Sequence, residues 1–328
     1  MNTPKTAVIG AGIAGLSCAT QLKAAGLEVE LFEKSRAPSG RMSTRHGDGW
    51  TADHGAQYFT ARDPRFIQEV NRWIMQQVAA QWQPRIKVYE ASKWCVSTSP
   101  DKRYVGTPGM SSPGQYLASH LNIHFNQTIN QIERRDGHWI LHSQESGVLL
   151  HTYDYLLIAL PAPQVAGLTQ SQGQEIYRLA SLAAMMGNWT LMVQFKDKQP
   201  VDFDAAFINQ EIVSWICNNQ SKPDRDGLET WTIQASAEWS QHRLELDKDV
   251  AAKEILECIS RRLGFDCQDA VISSHRWRYA SGSVDPSPGY YFSTEFQLGL
   301  CGDWLNGGRV EGAWLSGYQL ASQLNSVV

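Results

Sequence analysis

Gly10, Gly12 and Gly15 stand in the spacing Gly-x-Gly-x-x-Gly, and an acid, Glu33, follows about 20 residues on. Such a turn binds a dinucleotide. Its first glycine permits the tight bend, its second lets backbone approach a pyrophosphate, and its third lets a helix lie close against a strand. The helix then presents uncapped N–H groups to the phosphates. A carboxylate at the end of the next strand accepts ribose hydroxyls and repels a 2′-phosphate, so this turn is expected to hold FAD or NAD rather than NADP.

What is missing is also informative. The sequence contains no Gly-x-Ser-x-Gly elbow, no His-Glu-x-x-His pair and no carboxylate pair with catalytic spacing. His120 and His124 stand four apart, but the residues between them lead into a strand, so no metal site is expected. The chemistry therefore falls to a bound cofactor, and the protein's part is positioning and electrostatics.

Four segments distinguish the cofactor. Ser39-Gly40-Arg41-Met42, Asp53-His54-Gly55-Ala56-Gln57-Tyr58, Gly302-Asp303 and Glu311-Gly312-Ala313 resemble, in order, segments of the flavin amine oxidase superfamily. That resemblance implies FAD; no motif offers an obvious covalent attachment, Cys301 lying on the strand before Gly302-Asp303, so non-covalent binding is expected. The resemblance implies that Arg41 helps hold the pyrophosphate, that Gly55 and Ala56 pass the flavin ring, and that Asp303 reaches the ribityl and phosphate region; a plain turn or cap role is the alternative for Asp303. A helix beginning near Glu311 would offer N–H groups to the pyrimidine edge of the flavin, where a helix N-terminus favours the negative charge of the reduced ring. The cofactor-binding residues so expected are Gly10, Gly12, Ile13, Ala14, Gly15, Glu33, Lys34, Gly40, Arg41, Met42, Gly55, Ala56, Gln57, Tyr58, Gly302, Asp303, Val310, Glu311, Gly312 and Ala313.

Met-Ser-x-x-Arg at 42–45, Gly-Ala-Gln-Tyr-Phe-Thr-Ala-Arg-Asp at 55–63, Gly-x-Pro-Gly-Met at 106–110, Ala-x-Pro-Ala-Pro-Gln at 159–164, Asn-x-Ser-Lys-Pro-x-Arg-Asp at 219–226, His-Arg-Trp-x-Tyr-Ala at 275–280 and Gly-Arg-Val-Glu-Gly-Ala-Trp-Leu-Ser-Gly at 308–317 are together similar to the bacterial renalase family. The resemblance implies an FAD-dependent oxidase of the 2- and 6-dihydronicotinamide isomers of NAD(P)H, with O2 as electron acceptor and NAD(P)+ and H2O2 as products. An amine oxidase is the second reading, and a non-catalytic dinucleotide-binding protein the third. Arg309 speaks against an amine: it stands where amine oxidases usually carry an aromatic beside the flavin, and a guanidinium there suits an anionic dinucleotide, or else pairs with flavin oxygens or a carboxylate. His275 and Trp277, two apart on a strand, are expected on one face toward the substrate. Lys222 and Arg225 either meet substrate phosphates or form a charged surface turn. Asp53 is expected to orient loop N–H groups.

The elements that must position these residues follow from pattern. Ala7–Ile9 reads as a buried strand, Leu16–Ala25 as a helix closed by Gly26, and Glu28–Glu33 as the next strand, a βαβ unit. Residues 35–55 read as an extended loop crossing the cofactor, and 66–78 as a helix. Strands at 124–134 and 138–143, joined by Asp136-Gly137, and a third run from Leu149 to Pro161 read as a meander returning to a buried strand. More strands between 189 and 235, an amphipathic helix at 250–263, strands at 271–278 and 297–300 and a helix from about Glu311 complete the chain. The fold class expected is α/β: an FAD-binding Rossmann-like domain, of the p-hydroxybenzoate hydroxylase-like type the resemblance implies, formed by 1–62, 106–166 and 271–328, with an inserted mixed-sheet α+β substrate domain formed by 63–105 and 167–270.

Composition sets outer bounds. A formal net charge of -4 and a pI near 6.1 give no general attraction for nucleic acid or anionic membrane, so any basic site must be local. The N-terminal apolar run is interrupted by three glycines and belongs to the fold rather than to a leader. Six scattered cysteines without ligand or disulfide spacing fit reduced thiols, and a cytoplasmic location is expected.

Overall fold

The computed structural model describes residues 3–172, 174–209, 211–284 and 288–328. Its first sheet has six strands in the order Tyr291–Ser293, Leu298–Leu300, Tyr155–Ile158, Lys5–Ile9, Glu28–Glu33 and Asn122–Phe125. All neighbours are parallel except the Tyr291–Ser293 edge, which runs antiparallel. Strands from the beginning, middle and end of the chain thus share one Rossmann-like sheet. Parallel strands buried on both faces read as continuous apolar runs, as Ala7-Val8-Ile9 and Leu156-Leu157-Ile158 do.

One face of this sheet carries the helices Ile13–Ala24 and Arg309–Asn325, which approach each other unusually closely. A Cβ on Gly317 would lie 2.0 Å from the Ala14 carbonyl oxygen, and Ser17 Oγ donates to the Trp314 carbonyl at 2.9 Å. The first helix starts at Ile13 rather than Leu16, because extended Gly12 is its N-cap and the turn winds directly into helix.

The other face carries a three-stranded meander, Ile129–Arg135, His138–Ser143 and Gly147–Tyr153, and the helices Ala162–Thr169 and Gln174–Leu182, sharing one core with Ile9 and Ile158. Two expected strands are divided here. The run 124–134 breaks at Asn126, which has a φ of 55°, so that Asn122–Phe125 pairs with Glu28–Glu33 and Ile129–Arg135 joins the meander. The run from Leu149 breaks at Asp154, whose carboxylate accepts the Lys5 N–H at 2.7 Å. Alternation continues across Asp154, so local pattern does not reveal that break, whereas the polar run Asn126-Gln127-Thr128 marks the first.

The second sheet has seven strands in the order Val271–Ser281, Met186–Gln194, Trp231–Ala235, Val213–Asn218, Ala205–Ile208, Ile86–Glu90 and Lys93–Val96, with the helix Lys248–Leu263 packed on it. This corrects the expected boundaries. Val271–Ser281 pairs along Met186–Gln194 instead of joining the six-stranded sheet, so the chain returns to the cofactor domain after 281 rather than at 271. The helices at 162–182 pack in the first core, which moves the earlier crossing from 166 to about residue 183. The helix Pro64–Met75, assigned to the substrate domain, buries Phe66, Val70 and Trp73 in the cofactor-domain core, with Phe66 against Trp314. Side-chain periodicity shows that a helix has an apolar face but not which partner covers it.

The close helix pair makes the sheet's helical layer sensitive to one methyl group. Gly317→Ala is expected to cost about 1–3 kcal/mol by overpacking against backbone that cannot rotate away; the shift in the chemical denaturation midpoint measures it.

Candidate functional site

A cavity of about 1380 Å³ opens at the C-terminal ends of the parallel strands, between the two sheets. Ligand sites for one small molecule usually occupy about 300–1,000 Å³. This one is large enough for a dinucleotide cofactor and a second molecule.

At its floor lies the glycine turn. Gly10 has φ +102° and sits so close to the strand Tyr155–Ile158 that a Cβ would fall 2.7 Å from the Ala159 carbonyl oxygen. A Cβ on Gly15 would lie 2.0 Å from the Gly10 carbonyl oxygen, so Gly15 serves helix packing and does not line the cavity. Gly12 is different. Its backbone is extended, and a Cβ built there would meet nothing within 4 Å. No protein atom requires glycine at position 12; the space before it does. The helix behind it has no side-chain cap, so its first N–H groups remain free toward that space.

Glu33 lines the cavity with both oxygens engaged, Oε2 accepting the Ala11 N–H and Oε1 the Ser35 N–H, each at 2.8 Å. Each oxygen keeps a second lone pair. Lys34, Met42, Tyr58, Ile13 and Ala14 also line the wall. Gly40 packs against Gly12, its Cβ position 3.3 Å from the Gly12 Cα. Arg41 makes a bidentate pair with Asp303, Nη2 to Oδ1 at 2.5 Å and Nη1 to Oδ2 at 3.0 Å, and donates to the Ala280 carbonyl. The two residues expected to touch different parts of the cofactor therefore meet each other, joining the 39–42 loop to the 302–303 turn on the cavity wall.

Gly55 has the Arg41 carbonyl oxygen 2.0 Å from its Cβ position, and the Ala56 N–H donates to that oxygen at 2.9 Å. Gln57 corrects the expectation of cofactor contact: it is buried behind the loop, its Nε2 donating to the Asp53 carbonyl and its Oε1 accepting from Lys222 at 3.3 Å. Gly312 also packs internally, 2.0 Å from the Asn306 carbonyl oxygen at its Cβ position. Gly302, Val310, Glu311 and Ala313 line the cavity. The helix Arg309–Asn325 begins without a side-chain cap, after Gly307 and Gly308, both at φ 71°. Glu311 Oε1 accepts the backbone N–H groups of Arg62 and Asp63 at 2.7 Å each.

Behind the 53–57 loop is a buried ion cluster. Asp53 Oδ2 accepts from Lys222 Nζ at 3.0 Å and from Arg225 Nη2 at 2.8 Å, all three side chains being shut from solvent. Its Oδ1 accepts from Thr44 Oγ1 and the Met110 N–H. The two cations hold the Asp53 carboxyl far below the usual carboxylate range against the opposing effect of burial. Both expectations for Lys222 and Arg225 are thus corrected: their side chains are shut from the cavity and from solvent and clamp the 219–226 loop onto Asp53. A Lys-Pro-x-Arg turn looks like surface, and only its distant partner Asp53 shows otherwise. The 35–55 loop also contains a hairpin, Thr44–Gly47 with Trp50–Asp53, whose Asp48-Gly49 turn was a readable signal.

On the wall supplied by the seven-stranded sheet, His275 and Trp277 share a face and line the cavity, ring centroids 4.2 Å apart. Arg276 and Arg278 also border the cavity, with their guanidinium groups bonded to Glu245. His54 completes the cluster, stacked on Trp277 at 5.3 Å, while the Trp277 indole N–H donates to the His54 carbonyl. The His54 ring is 7% exposed as a residue, and its Nδ1 has no hydrogen-bond partner among the described residues. Burial first, then His275 and Arg45, push His54 down to about 3, and burial and Arg45 push His275 to about 4, so both rings are neutral at physiological pH. Arg309 is exposed at φ 68°, a left-handed conformation rare outside glycine, and makes no hydrogen bond or ion pair among the described residues.

Known proteins give this geometry its context. Residues 8–73 match the family model for an NAD(P)-binding Rossmann-like domain, and residues 83–325 match that for a flavin containing amine oxidoreductase. Among solved structures, wild-type putrescine oxidase bound to putrescine superposes with a TM-score of 0.77 at 14% identity, covering 99% of each chain. Cyclohexylamine oxidase from Brevibacterium oxydans superposes with 0.73 at 11% identity, also covering 99% of each. A hydroxyneurosporene desaturase from Rubrivivax gelatinosus is 38% identical over 80 residues, 24% of this chain but 13% of that protein. The cofactor is FAD. The uncapped helix starts at Gly12 and Gly308 and the open space before Gly12 fit its diphosphate and flavin ends. Among the described residues no helix is long and apolar enough to cross a membrane.

Gly12→Val separates folding from cofactor binding. It is expected to fold with an unchanged far-ultraviolet spectrum, because its φ and surroundings accept a side chain, yet to purify without yellow colour because the branched side chain fills the pyrophosphate space.

Proposed function

The chain belongs to the flavin-containing amine oxidoreductase family, and from that premise we propose that it is a dihydronicotinamide oxidase of the bacterial renalase kind. In this reading it oxidises the 2- and 6-dihydro isomers of NAD(P)H. A hydride leaves the dihydropyridine ring, restoring the aromatic NAD(P)+, and the hydride's two electrons and its proton, with one further proton from solvent, reduce O2 to H2O2. Bound FAD supplies the two-electron acceptor and carrier.

The observation that carries the reading is the charge state of the cavity wall. Four carboxylates line it, and each is already engaged: Glu33 by two backbone N–H groups, Asp303 by Arg41, Glu311 by the Arg62 and Asp63 N–H groups, and Asp101 by Arg62. Arg309, by contrast, has no partner among the described residues. A protonated amine entering here would find no free anion, whereas a dinucleotide brings phosphates to a free guanidinium. The neutral rings of His54, His275 and Trp277 offer a flat surface for a nicotinamide ring and hydrogen-bonding nitrogens for its carboxamide. Neutral imidazoles also leave the cationic pyridinium product unrepelled.

Anaerobic mixing of the yellow holoenzyme with dihydronicotinamide isomers and with amines tests this. The isomers should bleach the flavin absorbance; bleaching by amines alone would overturn the reading.

Arg309→Gly divides backbone from charge. Glycine accepts φ 68° without the roughly 1–3 kcal/mol such strain costs other residues, so thermal stability should hold or rise. Loss of a charge-assisted hydrogen bond of about 1.5–3 kcal/mol should raise KM for the dinucleotide by roughly ten- to a hundredfold, as oxygen-consumption kinetics would show.

A further inference from the structure

We propose that the Arg62–Arg103 strip at the cavity rim is an anion subsite that receives the phosphates of the substrate, a role distinct from the FAD pyrophosphate cradle at Gly12. The proposal rests on the dinucleotide reading above and deepens it.

Thr60, Arg62, Ser99, Asp101 and Arg103 line the same cavity as Gly55 and Ala56. Two independent ties fix them there. Phe59 and Tyr104 exchange backbone hydrogen bonds of 2.8 Å in both directions, which sets Thr60–Arg62 beside Arg103. Glu311 accepts the Arg62 and Asp63 N–H groups, which sets the same strip beside the first helical turn that carries Arg309. Arg62 and Arg103 thus meet around Asp101, and Arg309, on the adjoining helical turn, lines the same cavity.

Their partners leave positive charge over. Arg62 pairs with Asp101 at 2.8 Å and touches Thr60 Oγ1 at 3.4 Å, and Ser99 Oγ lies 3.4 Å from the same Asp101 oxygen. Arg103 has no carboxylate: one nitrogen donates to the Asp101 carbonyl at 3.3 Å, its guanidinium stacks 5.4 Å over the Tyr58 ring, and its Nε is shut from solvent without a partner. Tyr58 braces the guanidinium at the cavity wall, where its Nη2 makes no hydrogen bond among the described residues and can donate to a phosphate. The Asp101 side chain is 39% exposed, so a phosphate can displace it from Arg62 at little cost. Thr60 and Ser99 add hydroxyl donors. In a chain with net charge -4, this concentration of arginine at one cavity mouth is local and directed.

The test uses the FAD-loaded enzyme, so that the Gly12 cradle is filled, and inorganic pyrophosphate as probe, with binding read by calorimetry. The wild type should bind pyrophosphate with a salt-dependent affinity. The double variant R62Q/R103Q should bind at least tenfold more weakly, and its KM for the dinucleotide should rise relative to that for the phosphate-free dihydronicotinamide riboside. D101N, a change at an exposed side chain, should bind pyrophosphate more tightly, because it frees Arg62. Absence of pyrophosphate binding to the wild type, equal affinity in all three proteins, or weaker binding by D101N would overturn the proposal. If dihydronicotinamides are not oxidised while pyrophosphate affinity follows the predicted order, the functional reading falls and the anion subsite stands.

Discussion

One buried carboxylate, Asp53, ties the two halves of this protein together just behind the 54–56 loop that lines the cavity. It accepts from Lys222 and Arg225 of the substrate-side loop, from Thr44 of the hairpin, and from the Met110 N–H of a fourth segment. Two cations against one anion leave an excess positive charge in a site without water. That excess is spread over oriented oxygens: Gln57 Oε1 and Asn219 Oδ1 on Lys222, and the Gly106 and Pro223 carbonyls on Arg225. A cluster of this kind adds little net stability over an apolar equivalent, but removing one member leaves uncompensated charge in low dielectric. Its physical effect is to make a single arrangement of these four segments far better than any other.

What that rigidity serves is visible on the other side of the loop. Gly55 and Ala56, one residue beyond Asp53 across His54, lock onto the Arg41 carbonyl, while Arg41 itself is forked onto Asp303. From the buried cluster to the cavity wall, every anionic group is matched, and what remains unmatched is cationic or is a helix N-terminus. The cavity consequently favours anions along its length, at the two uncapped helix starts and at Arg309. Overall charge gave no hint of this, because a net charge of -4 does not say where the charges lie.

Those parts of the site governed by short spacing were legible in the sequence. Gly10, Gly12 and Gly15 could be given separate roles from their positions alone, and the structure separates them in the same way: bend, open approach and helix packing. His275 and Trp277 fell on one face because strand alternation requires it. Parts governed by distant pairing were not legible. Nothing near Lys222 or Arg225 marks them as buried, since their partner lies about 170 residues earlier. Gln57 sits within a flavin-facing motif yet turns inward to Lys222, and Val271–Ser281 carries the right alternation for either sheet. The break at Asp154 is a single residue inside a run whose alternation continues, and that at 126–128 is a short polar gap inside one expected strand. Local pattern records what one element needs, and it is silent on which neighbour supplies it.

The most direct measurement of the central claim is the unfolding free energy and flavin content of Asp53→Asn beside wild type. The amide keeps the shape and removes the charge that Lys222 and Arg225 share. A loss of about 3–5 kcal/mol, with FAD released more readily from the purified protein, is predicted. Unchanged stability with full flavin occupancy would contradict the view that this ion cluster holds the cofactor loop in place.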